Sequence, residues 1–299
     1  MKVILTGGAG QLAHAVRRSV PAAIGGRAVQ LITTTRTGTE GTIALDLADA
    51  AACRTLVDQH QPDWVINAGA YTAVDKAESE SELADAVNAG APGAFAGALA
   101  TTGGRLLQVS TDFVFNGAQG SPYRPDQPVD PLGVYGASKA AGEAAAAAAL
   151  ASERLCILRT SWVYGPVGHN FLLTMLRLMA EREQLGVVAD QVGCPTATES
   201  LARACWAVLE QAAAGVHHWS DAGAASWYDF AVAIAELGQE AGLLRDPAQI
   251  NPITTADYPT PAKRPSYSLL DCSATRAALQ LPGVHWRAAL SQVIRDVVA

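Results

Sequence analysis

A cluster of glycines directly behind the first apolar strand constrains this chain most. Lys2-Val3-Ile4-Leu5-Thr6 reads as a buried strand, and Gly7-Gly8-Ala9-Gly10-Gln11-Leu12-Ala13 follows at once, leading into a helical stretch through Val20. Glycines at such a turn let the backbone bend tightly and approach a pyrophosphate closely. The helix N-terminus beyond it offers free N–H groups and a positive dipole end to phosphates. Ala13, the third small position, still permits close packing of helix on strand. A plain strand–turn–helix is the bland alternative, since a lone glycine motif is weak. Its place in the first strand–helix unit favours a dinucleotide.

The rest of the N-terminal half alternates strand-like and helical runs. Val29–Thr35 and Thr42–Leu47 read as strands, Asp49–Gln61 as a helix and Trp64–Gly69 as a strand. A long helix is predicted over Glu80–Thr102, a strand over Arg105–Thr111, a helix over Tyr135–Ser152 and a strand over Leu155–Tyr164. Asp112–Gly133, rich in Gly, Pro and Asp, reads as a long loop, and loops of that length are often functional. Continuous apolar strands of this kind are buried on both faces of a parallel sheet. The expectation is an α/β, Rossmann-type, doubly wound sheet over residues 1–164.

After Gly165 the rhythm loosens. His169–Glu183, Thr198–Ala213 and Trp227–Ala241 look helical, Gly215–Ser220 reads as a short strand, and a Pro- and Thr-rich stretch, Asn251–Pro265, precedes a last helix near Trp286–Val298. Residues 165–299 are expected to form a smaller, mainly helical lobe over the C-terminal ends of the sheet, with some segments crossing back. Ligands bind at that edge in open α/β sheets.

Composition excludes several classes. No apolar run approaches a membrane span; Ala144–Ala149 falls within the helix that begins near Tyr135. The chain opens on a strand, so no signal peptide is expected. Five dispersed cysteines (Cys53, Cys156, Cys194, Cys205, Cys272) lack the spacing of a disulfide framework or a zinc site, which fits a cytoplasmic protein. A formal charge of −7 without a basic patch argues against nucleic acid as a partner. The histidines His14, His60, His169, His217, His218 and His285 form no ligand pattern.

Tyr135 and Lys139, four residues apart on one helix, project into the same space. A free phenol holds its proton up to about pH 10, and a nearby fixed cation favours the phenolate. Such a pair suits a tyrosine that hands a proton to a carbonyl oxygen. Alone the spacing is common; downstream of a dinucleotide turn it carries weight.

The second strand ends in Thr33-Thr34-Thr35-Arg36, with no carboxylate to hold ribose hydroxyls as NAD-preferring folds usually have. Arg36 and the threonine hydroxyls suit a 2′-phosphate and so NADPH; a solvated arginine would leave NADH open. Asp46-Leu47 ends the next strand, where the carboxylate either accepts from an adenine amino group or caps a helix.

Together these segments resemble the extended short-chain dehydrogenase/reductase superfamily and, more closely, the dTDP-4-dehydrorhamnose reductase family. The resemblance rests on Gly7 through Leu12, Asn67-Ala68-Gly69-Ala70-Tyr71-Thr72-Ala73-Val74-Asp75-Lys76-Ala77-Glu78, Val109 through Gly117, Val134 through Lys139, Arg159 through Tyr164, Asp190-Gln191-Val192-Gly193-Cys194-Pro195-Thr196 and Arg264-Pro265.

It implies reduction of the 4-keto group of a dTDP-linked 6-deoxy sugar by NADPH or NADH, most simply dTDP-4-dehydro-L-rhamnose. Another nucleotide-linked 4-ketosugar, or a non-catalytic regulatory subunit, is the alternative. Tyr135 would be the general acid, Lys139 would hold the nicotinamide ribose, and Thr111 would hold the keto oxygen. Gly7, Gly10, Gln11 and Leu12 would carry the pyrophosphate, Thr35, Arg36, Asp46 and Leu47 the adenosine end, and Ala68, Gly69, Ala70, Tyr71 and Thr72 the dinucleotide path. Asp112 and Trp162 would contact the sugar nucleotide, Arg264 the diphosphate, and Gln191 and Asn170 further parts of it. Some relatives bind magnesium at a dimer contact. The first helix here carries no carboxylate, which leaves Glu199 alone and argues against Mg²⁺. A monomer or homodimer is expected.

Overall fold

The computed structural model describes residues 1–39 and 41–298. Its centre is a seven-stranded parallel sheet. The strands are β1 (Lys2–Leu5), β2 (Gln30–Thr35), β3 (Ile43–Ala44), β4 (Trp64–Asn67), β5 (Arg105–Thr111), β6 (Leu155–Thr160) and β7 (Gly215–His218), in the order β7-β6-β5-β4-β1-β2-β3. The chain runs outward from β1 to β3, returns beside β1 as β4 and then runs the other way. The crevice between β1 and β4 is therefore the topological switch point, where open sheets bind ligands.

Successive strand residues point to opposite faces, and both faces are covered. Val3, Leu5, Ile66, Leu107 and Leu158 meet α1 (Gln11–Arg18) and α6 (Thr198–Glu210) in one core. Ile4, Val65, Leu106 and Ile157 face α2 (Ala50–His60), α3 (Ala91–Thr102) and α4 (Val134–Ala149) in another. Each such buried aliphatic stabilises the fold by roughly 1.5–3 kcal/mol. A third core lies beyond the sheet, where α5 (Phe171–Glu181), α7 (Trp227–Glu240) and α8 (Trp286–Val298) bury Leu172, Met175, Phe230, Ile234, Leu290 and Val293. Small strand pairs knit this region: Gln184–Val188 with Gln249–Ile253, Val192–Gly193 with Ala225–Ser226, and Val163–Tyr164 with Thr196–Ala197.

Two segments after Gly165 cross back to the sheet. β7 extends its edge against β6, and α6 packs on α1, with Trp206 Nε1 donating to Val16 O at 3.2 Å. His217 and His218 do face opposite ways: His218 is fully buried and His217 is partly exposed.

Three expected elements are redrawn. Thr42–Leu47 pairs only over Ile43–Ala44. The run Leu155–Tyr164 is not one strand: β6 stops at Thr160, and Trp162 adopts φ +47, a left-handed conformation that turns Val163–Tyr164 toward Thr196–Ala197. The helix predicted over Glu80–Thr102 is interrupted by a π-helical turn at Ala86–Gly90. Such turns insert a residue and are frequent at functional sites.

Candidate active site

The C-terminal ends of β1, β4 and β5 carry the site. After β1, Gly7 takes φ +68, and a Cβ there would lie 2.6 Å from Gly69 Cα. Gly7 and Gly69 thus let the two crevice loops touch. Gly10 precedes α1 without any side-chain cap on the helix N-terminus, so the first amides remain available to an anion. The Leu12 side chain is buried in the core. Gln11 turns the other way: Nε2 donates to Val163 O at 3.0 Å, and Oε1 accepts from Asn170 Nδ2 at 3.2 Å. Asn170 also caps α5 by accepting from Leu173 N at 3.1 Å.

A cavity of about 450 Å³ follows this crevice, lined by Gly7, Gly10, Thr35, Arg36, Asp46, Leu47, Gly69, Ala70 and Tyr71. Its glycine floor and uncapped helix fit a dinucleotide. Lys76 also lines it, a second cation in the cavity, from the run that carries the resemblance but without a role assigned there. Asp46 is not the cap of α2; Asp49 is, accepting from Ala51 N and Ala52 N at 2.9 Å each. Tyr71 is anchored through its backbone: its N–H donates to Asn88 Oδ1 at 2.9 Å, and its O accepts from Asn88 Nδ2 at 3.0 Å.

Asn88 sits in the π-helical turn and also donates to Ser138 Oγ at 3.0 Å. It joins the cofactor loop to α4, the helix of Tyr135 and Lys139. Gly142 lets α4 come this close, because a Cβ there would lie 2.0 Å from Asn88 O. The N-terminus of α4 is held by Glu78, whose Oε1 accepts from Val134 N at 2.9 Å. Asn88 escaped the sequence reading, and Glu78 entered it only as the last residue of the run that begins at Asn67, without a role. The irregular Gly90 and Pro92 within an otherwise helical pattern were the available signal for the first.

Thr111 and Asp112 end β5 opposite Tyr135. Thr111 Oγ1 donates to Asp112 Oδ1 at 3.1 Å and accepts from Phe113 N at 3.2 Å. Burial pushes the Tyr135 phenol up to about 12, partly offset by a hydrogen bond with Thr111. The expected lowering by Lys139 is therefore not the dominant influence in this structure. Lys139 is buried and donates from Nζ to Val109 O at 2.7 Å; burial lowers it to about 8, against the attraction of Glu143. Asp112 is raised to about 6 by burial, and its Oδ2 has no partner.

A second cavity, of about 460 Å³, lies on the far side, among the elements after Gly165, and is lined by Phe171, Met175, Leu185, Val187, Trp227 and Tyr258 with Arg182, Gln191 and Arg264. Gln191 donates to Thr255 Oγ1 at 3.1 Å. Arg264 pairs with Asp75, Nη2 to Oδ2 at 2.8 Å and Nη1 to Oδ1 at 3.1 Å. Asp75 therefore clamps the loop of Arg264 to the segment lining the first cavity. Trp162 stacks on Trp227 with ring centroids 3.6 Å apart and planes at 8°. A Cβ on Gly193 would lie 2.6 Å from Trp162 Cε2. One face of Trp162 is thus covered, and it is Trp227 that lines the cavity. Glu199 accepts from Thr198 Oγ1 at 3.1 Å.

The chain is similar to several known proteins. The family described as RmlD substrate binding domain matches residues 1–299. A dTDP-4-dehydrorhamnose reductase of Streptomyces griseus is 44% identical over 253 residues, covering 83% of this chain and 81% of that protein. The crystal structure of a Clostridium acetobutylicum dTDP-4-dehydrorhamnose reductase superposes with a TM-score of 0.90 at 34% identity, covering 100% of both chains. The Bacillus anthracis dTDP-4-dehydrorhamnose reductase in complex with NADP gives a TM-score of 0.88 at 30% identity over 99% of both chains. This chain belongs to the dTDP-4-dehydrorhamnose reductase family, on an extended short-chain dehydrogenase/reductase fold.

Proposed function

We propose that this protein reduces the 4-keto group of dTDP-4-dehydro-L-rhamnose to give dTDP-L-rhamnose, with NADPH as the donor. The observation that carries the reading is the convergence of Thr111, Tyr135 and Lys139 at the end of β5. The relatives named above act as dTDP-4-dehydrorhamnose reductases, and one of them holds NADP.

When bound, the nicotinamide supplies the hydride. The chain's own groups bind, orient and move the proton. The amides at the start of α1 hold the pyrophosphate, with Gly7, Gly10, Gln11 and Leu12 supplying backbone. Thr35, Arg36, Asp46 and Leu47 take the adenosine end, where the guanidinium suits a 2′-phosphate, and Ala68 through Thr72 line the path between. Lys139 Nζ lies at the ribose end. Residues 1–164 thus serve the cofactor, and residues 165–299 supply most of the second cavity.

Thr111 and Tyr135 donate hydrogen bonds to the keto oxygen, where negative charge develops. As C4 gains the hydride's electron pair and hydrogen, Tyr135 Oη transfers its proton to that oxygen and becomes a phenolate. Solvent then reprotonates it. A phenol raised to about 12 keeps its proton throughout the neutral range, and an alkoxide is basic enough to take it. The buried Lys139 ammonium stabilises the phenolate left behind. Asp112 Oδ2 accepts from a sugar hydroxyl, Trp162 and Trp227 border the pyranose and base, and Arg264 faces the diphosphate. The buried, unpaired cysteines support a reducing, cytoplasmic setting.

The test is oxidation of NADPH by the purified protein with dTDP-4-dehydro-L-rhamnose, and identification of the product by sugar NMR. Formation of dTDP-L-rhamnose is expected. Undiminished nicotinamide absorbance, with NADPH still bound, would sink the substrate assignment.

A further inference from the structure

We propose that Glu143 is a positioning residue that keeps Lys139 charged and in place beneath the reacting oxygen. The inference rests on the role given to Lys139 above. Tyr135, Lys139 and Glu143 follow one another at intervals of four along α4, so they form a single stripe facing β5 and β6. Lys139 and Glu143 are both buried. Three consecutive residues of β5 meet that stripe: Val109 accepts from Lys139 through its carbonyl, Ser110 Oγ donates to Glu143 Oε1 at 2.5 Å, and Thr111 faces Tyr135.

Glu143 is itself gripped from β6. Arg159 donates to it through Nε, 2.9 Å from Oε1, and through Nη2, 2.6 Å from Oε2. Arg159 is only 4% exposed and lies over the Phe115 ring at 5.2 Å. Its Nη1 is 3.4 Å from His218 Nε2, and His218 is pushed down to about 3, chiefly by burial and then by Arg159. Of the charged groups on these elements, Glu143 lies one turn along the helix of Lys139, Arg159 pairs with Glu143 from β6, and Asp112 follows the end of β5. His218 on β7 is neutral, and Tyr135 keeps its proton. Arg159 pairs with the Glu143 carboxylate, which also attracts the buried Lys139 ammonium one helical turn away.

This explains a pair that burial alone would disfavour. A buried ion pair is weak support for stability, because desolvation offsets its attraction. Removing the carboxylate, however, leaves Arg159 unpaired and takes away the attraction that favours the Lys139 ammonium. Lys139 then sheds its proton at a lower pH, and with it the charge that holds the ribose and stabilises the Tyr135 phenolate. The carboxylate also ties Ser110, and so the backbone that presents Thr111.

The experiment is titration of NADPH onto the full-length protein by nicotinamide fluorescence, between about pH 7 and pH 10. Lys139 is lowered to about 8, so wild-type affinity is expected to fall with a midpoint in that region. Glu143→Gln should move the midpoint down by about one unit or more, weakening binding by about threefold near pH 7.5 and about tenfold near pH 9. Glu143→Asp keeps the charge and should restore the midpoint. Ser110→Ala removes a hydrogen bond but no charge and should leave the midpoint in place. A merely structural role would weaken binding equally at every pH, and an unmoved midpoint in folded Glu143→Gln overturns the proposal. Should that variant not fold, Glu143→Gln combined with Arg159→Met removes the stranded guanidinium. Its midpoint must still lie below that of wild type. Because binding needs no ketosugar, a failed turnover assay leaves this result readable.

Discussion

The two cavities are built differently. The cofactor side is formed by loops between buried parallel strands, and its groups are tied to one another: Tyr71 to Asn88, Asn88 to Ser138, Lys139 to Val109, Glu143 to Ser110 and Arg159. The far side is formed by short strand pairs and a Pro-rich segment, held across the molecule by Asp75 and Arg264, with Tyr258 61% exposed at its mouth. One side is preorganised by the sheet. The other is assembled from parts remote in sequence and joined by a few polar contacts. The difference teaches that chemistry is placed where the backbone is least free to move, and recognition where side chains can vary around it.

The sharpest way to break this contrast is at Tyr135. Tyr135→Phe should lower kcat by about 10²- to 10⁴-fold while leaving NADPH binding nearly unchanged. Stopped-flow turnover together with a binding titration measures both, and full turnover would remove Tyr135 from the role of acid. On the far side, Arg264→Ala should raise KM for the sugar nucleotide by about tenfold or more with a smaller change in kcat. Asp75→Asn, which frees the guanidinium, should disturb the same parameter. An unchanged KM in both variants would show that the clamp does not serve the diphosphate.

Arg36→Ala probes the cofactor side again, with a smaller effect. It should weaken NADPH by roughly tenfold and NADH much less, and equal weakening would end the 2′-phosphate assignment. The smallest effect compares two buried carboxyls, both raised to about 6 chiefly by burial, Asp112 at the end of β5 and Asp221 beside Ala197. Each keeps its proton in the fold at a pH where the unfolded chain has lost it. Their contribution to stability is therefore present below the unfolded value near 3.9 and is lost as pH rises through about 6. Replacing either by Asn should flatten that part of the stability curve, read by thermal unfolding between about pH 4 and pH 7. Asp112→Asn should also impair turnover, whereas Asp221→Asn should change only the slope.

Much of the cofactor side was legible because its signals are local. A glycine turn after a strand, four-residue spacing on a helix and continuous apolar strands each arise from a few neighbouring residues. The far side was less legible. Trp162 read as a contact to the sugar nucleotide, but its left-handed backbone and the stacked Trp227, 65 positions away, are decided by packing. Arg264 read as a free cation, and its partner Asp75 lies 189 positions earlier. Glu143 had a local signal, the same four-residue step that links Tyr135 to Lys139. What it lacked was any hint that Ser110 and Arg159 would come to it from two strands.

The sequence by itself determined the parallel doubly wound sheet, the dinucleotide turn and the helix that carries Tyr135 and Lys139. Strand periodicity, glycine conformational freedom and helical spacing act over a few residues and need no partner. Only the tertiary structure decided that β7 and α6 return to the sheet, that the helix of Asn88 takes a π turn, and that Asp75 meets Arg264. It also decided that Tyr135 lies in surroundings that raise its pKa. Those outcomes depend on desolvation and on contacts between distant segments, and both exist only once the chain has closed around them.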